Sequence, residues 1–132
     1  MAVCQNTLRI QPAAMDIEAY RNYCLRKKGV TEGFPFDKNT LVYKVMGKLF
    51  ALTDIDVFES INLKCDPAKA IERREAYAGV TPGYHMNKKH WNTVKTDGSI
   101  PDEILYQWID DSYDLIVAKL PKAVQRQLTQ EA

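Results

Sequence analysis

Apolar residues recur at helical spacing after Asp16, where Ile17, Tyr20, Cys24 and Leu25 mark one face. Asp16 offers a side-chain acceptor to the free amides of a first turn. Arg26, Lys27 and Lys28 bring cations to the carbonyl end, and Gly29 stops the helix. The pattern then changes from helical to extended. Gly33-Phe34-Pro35-Phe36 reads as a short extended piece, with Pro35 placing it at a sheet edge. Residues 41–46 and 49–53 are apolar runs flanking Gly47-Lys48, a pair that predicts a type II′ hairpin turn with glycine supplying the positive φ. Between residues 58 and 65, Ile61, Leu63 and Cys65 alternate with Ser60, Asn62 and Lys64, the pattern of a half-buried antiparallel strand.

Asp66-Pro67 opens a second helix, with an N-cap acceptor ahead of a proline at the first helical position, and it runs to about residue 76. Gly79, Pro82 and Gly83 break the pattern around Val80-Thr81. Residues 91–94 read as a strand, and Thr96-Asp97-Gly98-Ser99 as a turn. Pro101 starts the longest helix, with Ile104, Leu105, Trp108, Ser112, Leu115 and Ile116 on one face. Leu120-Pro121 stops it, and a short helix follows. Strands joined by hairpins and set between helices predict an α+β, two-layer fold: one antiparallel sheet of about five or six strands with helices packed on one face. Residues 15–132 read as a single domain. Residues 1–14 read as an N-terminal extension, open to three readings: an added leader, a frayed tail or a short extra strand.

Bulk composition narrows the class. The 132 residues are 45% hydrophobic and 27% charged, enough for a core that needs no disulfide or metal staple. Cys4, Cys24 and Cys65 are odd in number and widely spaced, which suits reduced thiols in a cytoplasm. The start of the chain has no basic segment followed by an apolar run, and no stretch is long enough for a membrane span. The expected setting is cytoplasmic, without a membrane partner. A monomer is the default, although composition leaves the oligomeric state open.

Net charge is only +1, so a nucleic-acid role would rest on local charge. Such a place exists. No Asp or Glu falls between Glu75 and Asp97, while Lys88, Lys89, Lys95, His85, His90, Trp91, Tyr77 and Tyr84 do. Bases interleaved with aromatics can neutralise phosphates and stack on nucleobases. The same composition also describes a solvated strand and turn with Trp91 in the core. Lys44 and Lys48 flank the hairpin turn, where they either form a DNA-contacting wing or keep a sheet edge soluble. Asp110, Asp111 and Asp114 on the long helix form a counterweight that could pair with these bases or attract a basic partner.

Other chemistries lack their signatures. His85 and His90 are five apart, off one helical face, and no Cys-x-x-Cys or His-Glu-x-x-His occurs, so no metal site is expected. There is no nucleophile elbow, phosphate loop or dinucleotide fingerprint, so neither a catalytic residue nor a cofactor is assigned.

Four blocks carry a family likeness. They are residues 45–52, 61–67, 80–94 and 112–116, of which Val80-Thr81-Pro82-Gly83-Tyr84-His85-Met86-Asn87-Lys88-Lys89-His90-Trp91-Asn92-Thr93-Val94 is the most specific. In register and order, residues 15–128 resemble the MmcQ/YjbR family. The resemblance implies a two-layer α/β fold similar to type III secretion chaperones and CyaY-like proteins. It also implies DNA binding through a double-wing motif. On that expectation, Lys44, Lys48, Lys88, Lys89 and Lys95 contact phosphates. Tyr84, His85, Asn87, His90 and Asn92 give orientation or base-edge hydrogen bonds, with Met86 and Trp91 as anchors. The alternative is a module that binds a protein or peptide along a sheet groove or edge.

Overall fold

A computed structural model of the chain describes residues 15–83 and 86–130. Residues 1–14, and with them Cys4 and the three readings of the extension, lie outside the described residues, as do Tyr84 and His85.

The elements follow in the order α1 (Ile17–Leu25), β1 (Val30–Gly33), β2 (Thr40–Val45), β3 (Lys48–Asp54), β4 (Ser60–Lys64), α2 (Pro67–Ala76), β5 (Val80–Pro82), β6 (Trp91–Lys95), α3 (Asp102–Ala118) and α4 (Lys122–Gln130). The strands form one antiparallel sheet in the order β1-β2-β3-β4-β6-β5. Asp16 caps α1 by accepting the Ala19 amide at 2.8 Å. Asp66 caps α2 ahead of Pro67. Both termini are as their side-chain chemistry dictates.

Alternation divides each strand between two faces. Leu41, Tyr43 and Val45 of β2, Ala51 of β3, Ile61 and Leu63 of β4 and Val94 of β6 face the helices. There they join Tyr20 and Cys24 of α1 and Leu105, Trp108, Ile109 and Ile116 of α3 in the main core. Cys65 is buried too. The opposite face carries no helix. One row crosses all six strands there: Gly33, Val42, Leu52, Asn62, Thr93 and Thr81.

Two local features depart from the sequence expectation. The extended piece begins earlier: β1 is Val30–Gly33, and Phe34, Pro35 and Phe36 lie beyond it. Val30 is fixed by pairing with Val45, and the Met46 amide donates to the Gly29 carbonyl at 3.0 Å. The hairpin turn is Met46-Gly47, one residue earlier than expected. Both residues have positive φ, 48° and 86°, which makes the turn type I′ instead of II′. Met46 tolerates the left-handed conformation while its side chain packs against Gly29 and the core.

A β-bulge lies beside this hairpin. Tyr43 faces Ala51 and Lys44 faces Leu49, leaving Phe50 as the extra residue. The bulge opens the ladder between β3 and β4, and Ser112 of α3 fills it. Its hydroxyl accepts from the Lys64 amide at 2.9 Å and donates to the Phe50 carbonyl at 2.6 Å. Ser112 therefore occupies the apolar face of α3 without leaving a buried hydroxyl unpaired.

Candidate functional site

Antiparallel connection puts the loops in two groups. The Met46-Gly47 hairpin, Cys65-Asp66, Gly83 and residues 86–90 lie at one end of the sheet, the hairpin end. The loops over 34–39, 55–59 and 96–99 lie at the other, the loop end.

The lysines expected to meet phosphate divide between these ends. Lys48 is exposed at the hairpin, and Lys44 is half-buried two residues before it. Lys88 and Lys89 are exposed in the turn ahead of β6, at the same end. Lys88 donates to the Gly83 carbonyl at 3.2 Å. Lys95 pairs across from Ser60 at the loop end, so it is not brought together with the other four.

The polar residues of this segment have mostly structural partners. Asn87 is exposed and its side-chain oxygen accepts the Lys89 amide at 2.9 Å. His90 is half-buried, and its carbonyl accepts the Cys65 amide at 2.7 Å. Asn92 is only 2% exposed and faces α2. It donates to the Ala70 carbonyl at 3.2 Å and accepts from Arg74 Nε at 2.8 Å. The same guanidinium donates to the Lys88 carbonyl at 2.6 Å. Arg74 thus ties α2 to β6 and to the turn, and Asn92 has no route to a base edge from inside this network.

Trp91 is buried, as an anchor should be, but on the helix-free face and not in the main core. Gly83 lies against it: a Cβ there would stand 2.7 Å from Trp91 Cβ and 3.1 Å from Met86 Cβ. Met86 is half-buried.

Asp110 and Asp111 of α3 pair with Lys27, Tyr23 and Arg73 and not with residues 88–95. Asp110 accepts from Lys27 and from the Tyr23 hydroxyl at 2.8 Å. Burial, and then Asp110, push the Tyr23 phenol up to about 12. Asp111 pairs with Arg73 at 2.7 Å, and that guanidinium also stacks 4.8 Å over the Trp108 ring. Arg21 of α1 is paired with Glu32 at 2.8 Å. Arg21 and Lys27 are therefore engaged inside the fold. Asp114 stays exposed.

A groove of about 820 Å³ lies on the helix-free face, toward the loop end. Leu52, Asn62 and Thr93 form its floor, the last two joined by a hydrogen bond of 2.6 Å from the threonine hydroxyl. Phe36, Val57 and Met86 form apolar walls, and Asp37, Asp54 and Glu59 stand on its rim. Phe36 is 66% exposed and Val57 53%. His90 does not line the groove. Among the described residues no group of three or more His, Cys, Asp or Glu is placed to hold a metal, and no helix is long and apolar enough to cross a membrane.

Sequence reading missed Phe36, Val57 and Arg74. An aromatic after a proline, set among turn residues, was the available sign for Phe36. Arg74 carried none, because its partners are 14 and 18 residues away.

Comparison with known proteins fits this architecture. The chain is 34% identical to Escherichia coli K12 YjbR over 117 residues, 88% of this chain and 99% of that protein. It is 38% identical to YbdF of Escherichia coli O157:H7 over 96 residues, 72% of this chain and 79% of the relative. The crystal structure of a Deinococcus radiodurans protein with a DUF419 domain superposes with a TM-score of 0.83 at 38% identity, covering 91% of this chain and 92% of that one. A Pseudomonas syringae structure gives 0.65 at 27% identity, covering 76% and 98%. None of these relatives is named for an activity. The YjbR family model matches residues 25–115, and with these relatives it establishes that the chain belongs to the YjbR family.

Proposed function

We propose that this chain is a non-catalytic binding module that seats an extended polypeptide segment on the helix-free face of its sheet. The observation that carries the reading is the groove over Leu52, Asn62 and Thr93, with Phe36 and Val57 exposed beside it. Water-exposed aromatic and aliphatic side chains around a hollow mark surfaces that gain by being covered. An extended chain fits such a floor because its alternate side chains point down and out.

DNA binding is the second reading. It is favoured by Lys44, Lys48, Lys88 and Lys89 sharing the hairpin end. Lysine contacts to phosphate would weaken steeply with salt.

One titration separates the two. Isotope-labelled protein is mixed with a pool of short unstructured peptides and, separately, with a short DNA duplex at low salt. The first reading expects peptide-dependent shifts at the Leu52, Asn62 and Thr93 amides and none with duplex. Duplex shifts at Lys48, Lys88 and Lys89 that fade with salt, with the groove unmoved by peptide, would replace it with the second.

A further inference from the structure

The groove has a charge as well as a shape. Asp37, Asp54 and Glu59 line it, and no described lysine or arginine does. The loops around it continue the same sign: Asp56 and Asp97 lie at this end of the sheet, with Lys38 and Lys95 as the bases. These carboxylates are only partly used within the fold. Asp54 accepts the Asp56 amide at 2.9 Å through one oxygen, leaving the other. Glu59 makes no side-chain hydrogen bond or ion pair among the described residues. Asp37 is different, since it holds its own turn: it accepts the Asn39 and Thr40 amides at 2.8 and 2.7 Å and the Thr40 hydroxyl at 3.1 Å.

We infer that the groove selects a segment that is cationic as well as apolar: an extended stretch with aliphatic side chains against Leu52, Phe36 and Val57 and lysine or arginine reaching Asp54 and Glu59. This rests on the polypeptide-binding reading and adds the chemistry of the partner. Charge complementarity carries it. An acidic segment would bring like charges together over a low-dielectric floor, and a neutral one would gain only the apolar contacts. The acids sit on an exposed rim, so they set preference and encounter rate more than total affinity. The same rim disfavours a nucleic acid in the groove, whose phosphates would meet three carboxylates.

The test uses the folded chain and three blocked pentapeptides. Each has leucine at the odd positions, with lysine, serine or glutamate at the even ones. At low salt the lysine peptide binds roughly tenfold tighter than the glutamate peptide, with serine between, and the ranking shrinks at high salt. Asp54→Asn with Glu59→Gln collapses the ranking to roughly twofold or less while leaving serine-peptide binding in place. Phe36→Ser weakens all three peptides and keeps their order. Equal binding of the three by the unaltered protein, or a preference for glutamate, overturns the charge selection and leaves the groove reading standing. No binding of any peptide, with no shift at Leu52, Asn62 or Thr93, overturns both.

Discussion

Gly79 and Gly83 bracket β5, one at each end of the sheet, and a methyl group added to each meets different neighbours. At Gly83, in the hairpin end, it would stand 2.7 Å from Trp91 Cβ and 2.9 Å from the Trp91 carbonyl. At Gly79, in the loop end, the nearest atom is the Ser99 hydroxyl at 3.0 Å, then Ile100 Cδ1 at 3.4 Å. The first set of atoms is backbone and side-chain root, which cannot swing aside. The second is the tip of an exposed serine, the end of an isoleucine and, at an ordinary 3.4 Å, Lys95 Cβ. The hairpin end is therefore clamped, with Gly83, Trp91, Met86 and Arg74 fixing the turn, and Lys48, Lys88 and Lys89 are exposed there. The loop end is built of turns that present carboxylates and uncovered apolar side chains. On the proposed reading, ligand fit is decided at the open, acidic loop end.

The largest expected effect tests the clamp. Gly83→Ala forces Trp91 or the strand to move and costs about 2–3 kcal/mol, whereas Gly79→Ala costs under about 1 kcal/mol. Chemical denaturation of the two variants checks this, and equal losses would erase the mechanical contrast. Next comes Arg74→Ala. It strips the buried Asn92 oxygen of its donor and frees the Lys88 carbonyl, at about 1–3 kcal/mol. Trp91 fluorescence, read against a Trp108→Phe background, should report a loosened turn before global unfolding. The peptide ranking and the duplex titration described above come next, since they read affinity and not fold.

The smallest effect is electrostatic. The Asn39 and Thr40 groups hold the Asp37 carboxyl below its usual range, and the Ser99 hydroxyl and amide do the same for Asp97. A carboxyl whose folded value is depressed contributes stability that is full above the unfolded value, about 3.9, and lost as pH falls through the lower folded one. Asp97→Asn should lower the melting temperature slightly at neutral pH. Its melting curve should converge on that of the unaltered chain in acid, as thermal scans at stepped pH would show. Both side chains are exposed, so salt also narrows the gap.

Much of the sheet was legible because one face is apolar and the other polar. Ile61, Leu63 and Cys65 against Ser60, Asn62 and Lys64 fix the faces of β4 with nothing else known. Strand β6 was harder. Trp91 and Val94 are both buried yet point to opposite faces, so an apolar count over so short a run does not say which side is the core. The hairpin turn falls on Met46-Gly47, where the Met46 side chain packs against the core and its amide donates to the Gly29 carbonyl. Turn preferences alone do not see such contacts. The candidate lysines are neighbours in sequence, but β6 is a rod that carries Lys95 about 14 Å from its start. The groove is the reverse case. Phe36, Val57 and Met86 come from three separate connections, and only the strand order brings them around one hollow.

Ser112 has a consequence for how the domain opens. Its hydroxyl stands where a strand would have supplied a backbone group, so the Lys64 amide is protected by a helix and not by its neighbour β3. Withdrawing α3 unpairs that amide and the Phe50 carbonyl at once, and fraying of β3 from β4 strips the helix of its polar contact. The two layers thus open as one cooperative unit, and hydrogen exchange at Lys64 times the departure of the helix.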